Sequence, residues 1–455
     1  MTADLQRYFD DHRANFLDGL RQLLRIPSIS TLPEHQPDIR RAAELVAAEL
    51  RQAGLHQVRL IEGDGNPLVY GEWLQAPGKP TLLCYGHYDV QPPDPLEEWL
   101  SPPFEPAIRG DDIFARGASD DKGQTYILIK AVQALLAVRG SLPVNVKFLI
   151  EGEEETGGRH IEAYARRNGR QIGAQAVVIC DTEMFAPGLP TLCVGLRGLV
   201  YAEVEVTGAR ADLHSGVYGG VAPNPLQALA EILTGLKNAA GRILIPGFYD
   251  RVREPSPAER SAWARLPFDE ERYREREIGS PELVGEAGRS IFERTWTRPT
   301  LEIHGIRGGW TGEGAKTVIP ARATAKISMR LVPDLAPQEV FERFRGQVER
   351  LTPRGTRSQV RLLSAAEPAV VDPDNSYLRA AAAAMTEVFG AETVYIRSGG
   401  SIPIVGLFAE HAGIPSVMMG FGLPDDNLHA PNEKLHLPNF FGGLRAVARY
   451  LEMLG

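Results

Sequence analysis

Hydrophobic and polar positions divide the chain into segments of two styles. The first style contains short, uninterrupted apolar runs, which are typical of strands buried on both faces of a parallel sheet. Such runs occupy residues 81–85, 144–150 and 176–180. Before them, residues 5–23 and 39–52 show the spacing of amphipathic helices. These patterns predict an α/β layer in the first part of the chain.

The second style begins near residue 200, where polar and apolar residues alternate along the chain. Residues 200–206 and 317–331 have this alternation, which is typical of half-exposed antiparallel strands. Between them lie a predicted helix at 226–236 and a charged segment at 251–277. We interpret residues 198–374 as a smaller, inserted α+β domain.

From Asn375 onwards the α/β style returns. Helices are predicted at 378–389 and 438–454, and strands at 393–396 and 416–419. Residues 1–197 and 375–455 are therefore predicted to form one domain around the insertion. Residues 398–403 open a further predicted helix, whose free backbone N–H groups can bind a carboxylate or a developing oxyanion.

Composition and charge narrow the class of protein. The 455 residues are too many for one compact core, and the net charge of -9 argues against nucleic acids and anionic membranes as partners. No run of about 18 apolar residues and no signal peptide is found. Cys84, Cys180 and Cys193 lie in apolar stretches and are predicted to be buried, reduced thiols. These features predict a cytoplasmic protein.

Histidine and acidic residues stand where the predicted buried strands end. His87 and Asp89 follow the first run. Four of the five residues at 151–155, after the second run, are glutamates, and Asp181 follows the third run. Asp120 lies at a turn between these strands. Open α/β sheets place their sites outside the carboxyl ends of their strands, and so much negative charge repels itself without cations. The pattern therefore predicts a metal site.

Single motifs taken alone favour simpler explanations. His87 and Asp89 point the same way on an extended chain, as a metal-bound imidazole and its supporting carboxylate would. An isolated His-x-Asp is nevertheless better explained as a histidine hydrogen-bonded at a strand end. Alone, His214 would be a loop histidine, and Arg330 would form a surface ion pair, although its guanidinium can bind a carboxylate through two hydrogen bonds.

Together, seven stretches resemble the dinuclear-metal aminopeptidase, aminoacylase and glutamate carboxypeptidase superfamily. Within it they are most similar to the cytosolic non-specific dipeptidase and carnosinase branch. They follow the family's order and span nearly the whole chain, at residues 86–92, 116–123, 151–158, 212–220, 314–320, 399–403 and 429–434.

The resemblance implies an α/β fold, in which a central mixed, largely parallel sheet is flanked by helices. The inserted domain is expected to serve as a lid and to form a homodimer. The family binds two divalent metal ions, here expected to be Zn²⁺, with Mn²⁺ or Co²⁺ as alternatives. The expected metal ligands are His87 and Asp181 for one ion, Glu155 and His429 for the other, and Asp120 as the bridge between them.

The resemblance also implies roles around the metals. Glu154 is the expected general base, Asp89 orients His87, and His214 is expected to polarise the scissile carbonyl in the other subunit. The substrate's carboxylate is expected to bind Arg330 and the Gly400–Ser401 loop. The Asp120–Asp121 peptide bond is expected to be cis.

One departure leaves the register of the glutamates open. The residue before the paired glutamates is usually uncharged in the dipeptidases, but here it is Glu153. Glu154 and Glu155 are the expected base and ligand, and a slip by one residue is the alternative. Residues 241–298 match less clearly and receive no catalytic role, and His436 is interpreted as a helix-entry residue rather than a ligand.

The expected activity is metal-dependent hydrolysis of dipeptides or short peptides that carry a free C-terminal carboxylate. The alternative is an N-acyl-amino-acid or N-succinyl-amine amidohydrolase with the same mechanism. No Gly-x-Ser-x-Gly motif is present, so a serine nucleophile is not favoured. The expected partners are a small peptide and a second copy of the chain.

Overall fold

The computed structural model describes residues 1–400 and 402–455, apart from the side chain of Pro403. Two compact units are present. The first comprises residues 1–194, 371–396 and 407–455, and the second comprises 195–370 and 397–406. The sequence pattern, in contrast, assigns residues 397–406 to the first domain.

The helices are α1 (Ala3–Asp11), α2 (Arg13–Leu24), α3 (Gln36–Gln52), α4 (Lys122–Arg139), α5 (Arg159–Asn168), α6 (Ser215–Tyr218), α7 (Pro225–Thr234), α8 (Pro257–Trp263), α9 (Glu270–Arg272), α10 (Pro337–Leu351), α11 (Ser376–Phe389), α12 (Pro403–His411) and α13 (Leu437–Leu454). The strands are β1 (His56–Ile61), β2 (Leu68–Trp73), β3 (Thr81–His87), β4 (Ala107–Arg109), β5 (Asp112–Phe114), β6 (Asn145–Glu151), β7 (Ala176–Ile179), β8 (Thr191–Leu196), β9 (Gly198–Thr207), β10 (Leu213–His214), β11 (Thr300–Gly308), β12 (Val318–Ile319), β13 (Arg322–Leu331), β14 (Arg357–Ala366), β15 (Ala369–Val370), β16 (Val394–Ser398), β17 (Ser416–Met418) and β18 (Lys434–His436).

A mixed sheet forms the centre of the first unit. Its strands lie in the order β1-β2-β6-β3-β7-β17-β8. The central strands β6, β3, β7 and β17 are parallel, and β1, β2 and β8 pair antiparallel with their neighbours. Helix α4 packs against β3 and α13. The predicted mixed, largely parallel sheet with flanking helices is confirmed, and the carboxyl ends of the central strands meet at one edge.

The second unit contains an antiparallel sheet with the strand order β11-β13-β9-β14. Strand β9 buries every second residue, as its alternating sequence predicts. The buried side chains meet apolar residues of α7 and α10, because each helix turns one apolar stripe towards the sheet. This packing provides the core of the unit.

Two predicted elements are interrupted in the structure. Residues 5–23 form two helices rather than one, because His12 leaves helical geometry and its Nδ1 lies 2.9 Å from the carbonyl oxygen of Tyr8. Residues 317–331 form β12 and β13 rather than one strand. Pro320 stands in the gap between them, and a proline has no N–H with which to continue a strand ladder.

The three cysteines are buried, as predicted. Burial raises the pKa of the Cys84 thiol to about 12 and that of Cys180 well above its usual value. Within the described ranges, every helix is too short or too polar to cross a membrane.

Candidate dinuclear metal centre

The ends of the central strands bring the predicted metal ligands of the first unit together. His87 is the last residue of β3, and Asp181 stands two residues beyond β7. Asp120 lies in the turn before α4, Glu155 in the turn after β6, and His429 in the loop before β18. The peptide bond between Asp120 and the next residue is cis, as expected.

Donor atoms of these residues form two groups that share Asp120. In the buried group, Nε2 of His87 lies 3.1 Å from Oδ1 of Asp120 and 3.8 Å from Oδ2 of Asp181. In the open group, Nε2 of His429 lies 3.0 Å from Oδ2 of Asp120 and 3.3 Å from Oε2 of Glu155. Within each group the donor atoms lie within 4.8 Å of one another, so each group can hold one cation.

Asp89 contacts His87 and the glutamate turn on the side away from the other donor atoms. Its Oδ1 lies 3.4 Å from Nδ1 of His87, on the ring edge opposite the Nε2 atom that faces the other donors. The two oxygens of Asp89 also accept hydrogen bonds from the backbone N–H groups of Glu154 and Glu155, each at 3.2 Å. Nδ1 of His87 also lies 3.2 Å from the backbone carbonyl oxygen of Asp89, so both oxygens of this residue that face the ring are placed to orient it, and the carboxylate holds the glutamate turn.

The glutamate side chains take separate directions. The carboxylate of Glu153 accepts hydrogen bonds from the backbone N–H groups of Asn66 at 2.9 Å and His160 at 2.6 Å, away from both groups. Glu155 belongs to the open group, and its Oε2 accepts a hydrogen bond from Gln91 at 2.8 Å. This geometry favours the expected register over a slip by one residue.

The charges of the centre suit a bound cation. Burial, together with Asp121 and Asp120, raises the pKa of Asp181 well above its usual value. Burial lowers the pKa of His87, but the carboxylates of Asp120 and Asp89 outweigh it and raise that pKa well above normal. The hydrogen bonds to Asp120 and Glu155 raise the pKa of His429 to about 10. The carboxylates thus attract protons, which a divalent cation can replace.

The donor set also fits such a cation. Imidazole nitrogens and carboxylate oxygens are common ligands of Zn²⁺ and of related divalent metals. Nε2 of His87 is buried and lacks a well-oriented hydrogen-bond partner in the described part of the chain. An imidazole nitrogen in that position is suited to donate its lone pair to a metal ion.

Glu154 lies between Glu153, which is hydrogen-bonded to the backbone of Asn66 and His160, and Glu155, which belongs to the open group. Burial raises the pKa of its carboxyl group to about 7, opposed by the positive charge of His87 and assisted by Glu155. A carboxyl group with a pKa near neutrality can both accept and donate a proton at physiological pH.

Three of the other predicted residues lie in the second unit. His214 is an exposed residue of β10, paired with Val318 of β12, and its Nδ1 accepts a hydrogen bond from the N–H of Gly216 at 3.0 Å. Arg330 is half-buried on β13, and burial lowers the pKa of its guanidinium. Gly400 accepts a hydrogen bond from the backbone N–H of Arg197 at 3.2 Å. Ser401 lies outside the described residues.

Arg197 is a residue that the sequence pattern missed. Its Nε donates a hydrogen bond to the carbonyl oxygen of Gly399 at 3.2 Å. Burial, and then the nearby charge of Arg330, lowers the pKa of Arg197 to about 10. The guanidinium of Arg197 therefore lies beside Gly399 and within reach of the charge of Arg330. The available signal was an arginine directly before Gly198, at the end of an apolar run.

Comparisons with known proteins match the chain over almost its whole length. The Cys-Gly metallodipeptidase of Candida albicans is 31% identical, over 99% of this chain and 97% of that protein. The human Beta-Ala-His dipeptidase is 32% identical, over 98% and 92% respectively. A crystal structure of an M20 family metallo-carboxypeptidase from Sulfolobus solfataricus superposes with a TM-score of 0.86, at 34% identity over 96% of this chain and 99% of that chain.

The crystal structure of human carnosine dipeptidase 1 gives a TM-score of 0.84, at 31% identity over 100% of this chain and 99% of that chain. The model of the family described as Peptidase family M20/M25/M40 matches residues 83–453. The resemblance noted in the sequence is confirmed: the chain belongs to peptidase family M20/M25/M40, within its dipeptidase branch.

Proposed function

We propose that this chain is a metal-dependent hydrolase that cleaves the amide bond of dipeptides and short peptides with a free C-terminal carboxylate. The observation that carries the proposal is the pair of donor groups that share Asp120, with Glu154 on the adjoining turn. The named substrates of the relatives, Cys-Gly and Beta-Ala-His, are both dipeptides. These relatives do not favour the alternative deacylase activity.

The proposed cofactor is a pair of divalent ions, with Zn²⁺ preferred and Mn²⁺ or Co²⁺ as alternatives. His87 and Asp181 would hold one ion, Glu155 and His429 would hold the other, and Asp120 would bind both. When bound, such ions polarise a carbonyl group and lower the pKa of water towards neutrality. The mixed nitrogen and oxygen donors support this assignment.

Glu154 is the proposed general base. It would take a proton from the attacking water and return it to the amine that leaves. Its near-neutral pKa supports both steps, and its backbone N–H bond to Asp89 fixes its turn beside the donor groups.

We further propose that the second unit supplies substrate-binding groups and the dimer interface. Arg330, Arg197 and the Gly400–Ser401 loop would bind the substrate's carboxylate, and His214 would polarise the carbonyl across a homodimer. Exposed apolar side chains on this unit, at Val217, Tyr218, Val221, Ile306 and Trp310, support an interface there. Sedimentation of the whole chain tests the dimer. A cytoplasmic location stays a prediction.

The decisive experiment measures hydrolysis by chelator-stripped protein after Zn²⁺, Mn²⁺ or Co²⁺ is added back. The substrates are dipeptides, tripeptides and N-acyl amino acids. We expect metal-restored cleavage of dipeptides. Cleavage of acylated amino acids alone would establish the deacylase instead, and tripeptide cleavage faster than dipeptide cleavage would favour a carboxypeptidase.

The same assay tests the base. Glu154→Ala is expected to lower kcat by at least about 100-fold, the usual contribution of general acid–base catalysis, while the metal content stays at the wild-type value. Glu97→Ala, at an exposed glutamate, is the matched control and should retain wild-type kcat. A Glu154→Ala protein with wild-type kcat would contradict the assignment.

A further inference from the structure

Arg116 and Glu433 lie in two of the matched stretches, yet the mechanism gives neither residue a part. Both are almost completely buried, with exposed fractions of 1% and 0%. Their side chains form a charged pair, in which Nη1 of Arg116 donates to Oε2 of Glu433 at 2.8 Å. A buried carboxylate is unfavourable unless its oxygens are fully hydrogen-bonded, so the surroundings of Glu433 indicate what it holds.

The partners of Glu433 are the backbone of the turn that carries Asp120. Its Oε2 also accepts from the N–H of Gly117 at 2.8 Å, and its Oε1 accepts from the N–H groups of Ser119 and Asp120, both at 3.0 Å. The carboxylate thus receives four hydrogen bonds, and three of them come from successive parts of one turn. An ionised carboxylate can accept that number, whereas an amide oxygen cannot.

Sequence and topology bring Glu433 to this place. Strand β18 follows it directly and pairs with β5, which leads into the Asp120 turn. The carbonyl oxygen of Glu433 accepts from the N–H of Ala115 at 3.1 Å and so continues that pairing. Gly117 has φ +81°, a left-handed conformation that glycine adopts without strain, and the turn can therefore wrap around the carboxylate.

A second contact joins the same two segments. Oδ2 of Asp426 accepts from the hydroxyl of Ser119 at 2.8 Å and from the N–H of Leu423 at 2.8 Å. Asp426 and Glu433 stand on either side of His429 in the chain, so the segment that supplies His429 is bound to the turn that supplies Asp120. The spacing between these two donors is therefore fixed by contacts outside the donor groups.

We infer that Glu433 is a positioning residue, which fixes the turn of Asp120 before any ion binds and so sets how this shared carboxylate faces the two donor groups. The inference rests on the proposed two-ion function for its catalytic meaning. Supporting residues behind metal ligands commonly matter almost as much as the ligands, and their loss lowers metal affinity or activity by about 10–100-fold.

The test uses the whole chain and Zn²⁺ in competition with a chromophoric chelator. Glu433→Gln presents an NH₂ group to some of the four donors, and Glu433→Asp keeps the charge but is too short to reach all of them. For both variants we expect binding of each ion to weaken by at least about tenfold. Because Glu433 does not touch substrate, kcat should fall while KM stays near the wild-type value.

Glu97→Gln is the matched control and should bind Zn²⁺ as the wild type does. A Glu433→Gln protein that is folded by circular dichroism and binds both ions with wild-type affinity would overturn the inference, because a merely structural residue would change only the melting temperature.

Hydrogen exchange of the wild-type protein provides a test that needs no variant. In the metal-free protein, we expect the amides of Ser119 and Asp120 to exchange slowly. Exchange at the rate of an unprotected chain would overturn the inference even if both variants failed to fold. If the wild type binds no Zn²⁺, the proposed function fails, and the exchange result still decides whether Glu433 fixes the turn.

Discussion

The two donor groups share Asp120 but differ in how firmly their histidines are held. His87 is wholly buried at the end of a central strand, and Asp89 lies behind its ring. The His429 side chain is 53% exposed, in a loop where Asn427, His429 and Asn432 all have positive φ values. The first histidine is fixed by the sheet, whereas the second depends on a loop conformation that these residue types adopt at some cost.

This difference indicates that the two groups bind their ions with different affinities. Donors held in place by packing lose little freedom when a cation binds, and binding is correspondingly tight. The ends of the His429 segment are anchored through Asp426 and Glu433, but its exposed imidazole is packed less closely and loses more freedom when an ion binds. We therefore expect one tightly bound ion in the buried group and one more readily exchanged ion in the open group.

Replacing each histidine by alanine is the strongest way to break the comparison. His87→Ala should weaken the tighter ion by at least about 100-fold, since loss of a supporting residue alone can reach that factor. His429→Ala should weaken the second ion and leave the tighter one within about tenfold of wild type. Chelator competition with Zn²⁺ measures both constants. The comparison is wrong if His429→Ala weakens the tighter ion more than His87→Ala does.

The dependence of metal binding on pH sharpens the comparison. In the metal-free protein the pKa of His429 is raised to about 10, so its proton stabilises the fold fully below about pH 6.5, and this contribution is lost as pH rises through 10. An ion must displace that proton. Binding in the open group should therefore tighten by about tenfold per pH unit between pH 6.5 and 8.

In the buried group the carboxylates of Asp120 and Asp89 raise the pKa of His87 well above its usual value, and burial with Asp121 and Asp120 raises that of Asp181. An ion that binds there must displace protons from groups whose pKa values are both raised, so the affinity should rise with pH more steeply than in the open group. Titrations with a chelator of known pKa at three pH values give both slopes. Equal slopes would show that the two groups release the same number of protons when an ion binds, and would contradict the prediction.

The smallest expected effect concerns Glu153, which anchors the turn of Glu155. Glu153→Ala leaves the buried N–H groups of Asn66 and His160 without their acceptor, which should lower the free energy of unfolding by about 1–3 kcal/mol. The ion of the open group should bind up to about tenfold more weakly. Urea unfolding and chelator competition measure these quantities, with Glu97→Ala as control. Unchanged stability would contradict the anchoring role.

Much of the fold follows from local patterns in the sequence. The apolar runs at 81–85, 144–150 and 176–180 became β3, β6 and β7, because a strand buried on both faces needs such a run. The positions of His87 and Asp181 could also be predicted, because parallel strands place their carboxyl ends at one edge of the sheet. The break at His12 was missed because neither a proline nor a glycine marks it in the sequence.

Other parts of the centre lie beyond what a single sequence reveals. Glu433 binds backbone N–H groups of residues more than three hundred positions away, and backbone donors leave no mark in a sequence. The direction of Glu153 was undecided for a similar reason, because its partners are the N–H groups of Asn66 and His160. The roles of His214, Arg330, Gly400 and Ser401 remain predictions.

The burial of the cysteines has a consequence for thiol chemistry. Thiol–disulfide exchange proceeds through an accessible thiolate, and a raised pKa keeps Cys84 and Cys180 in the unreactive thiol form at neutral pH. Cystine, glutathione disulfide or the disulfide form of a cysteinyl dipeptide should therefore form no mixed disulfide with Cys84 or Cys180.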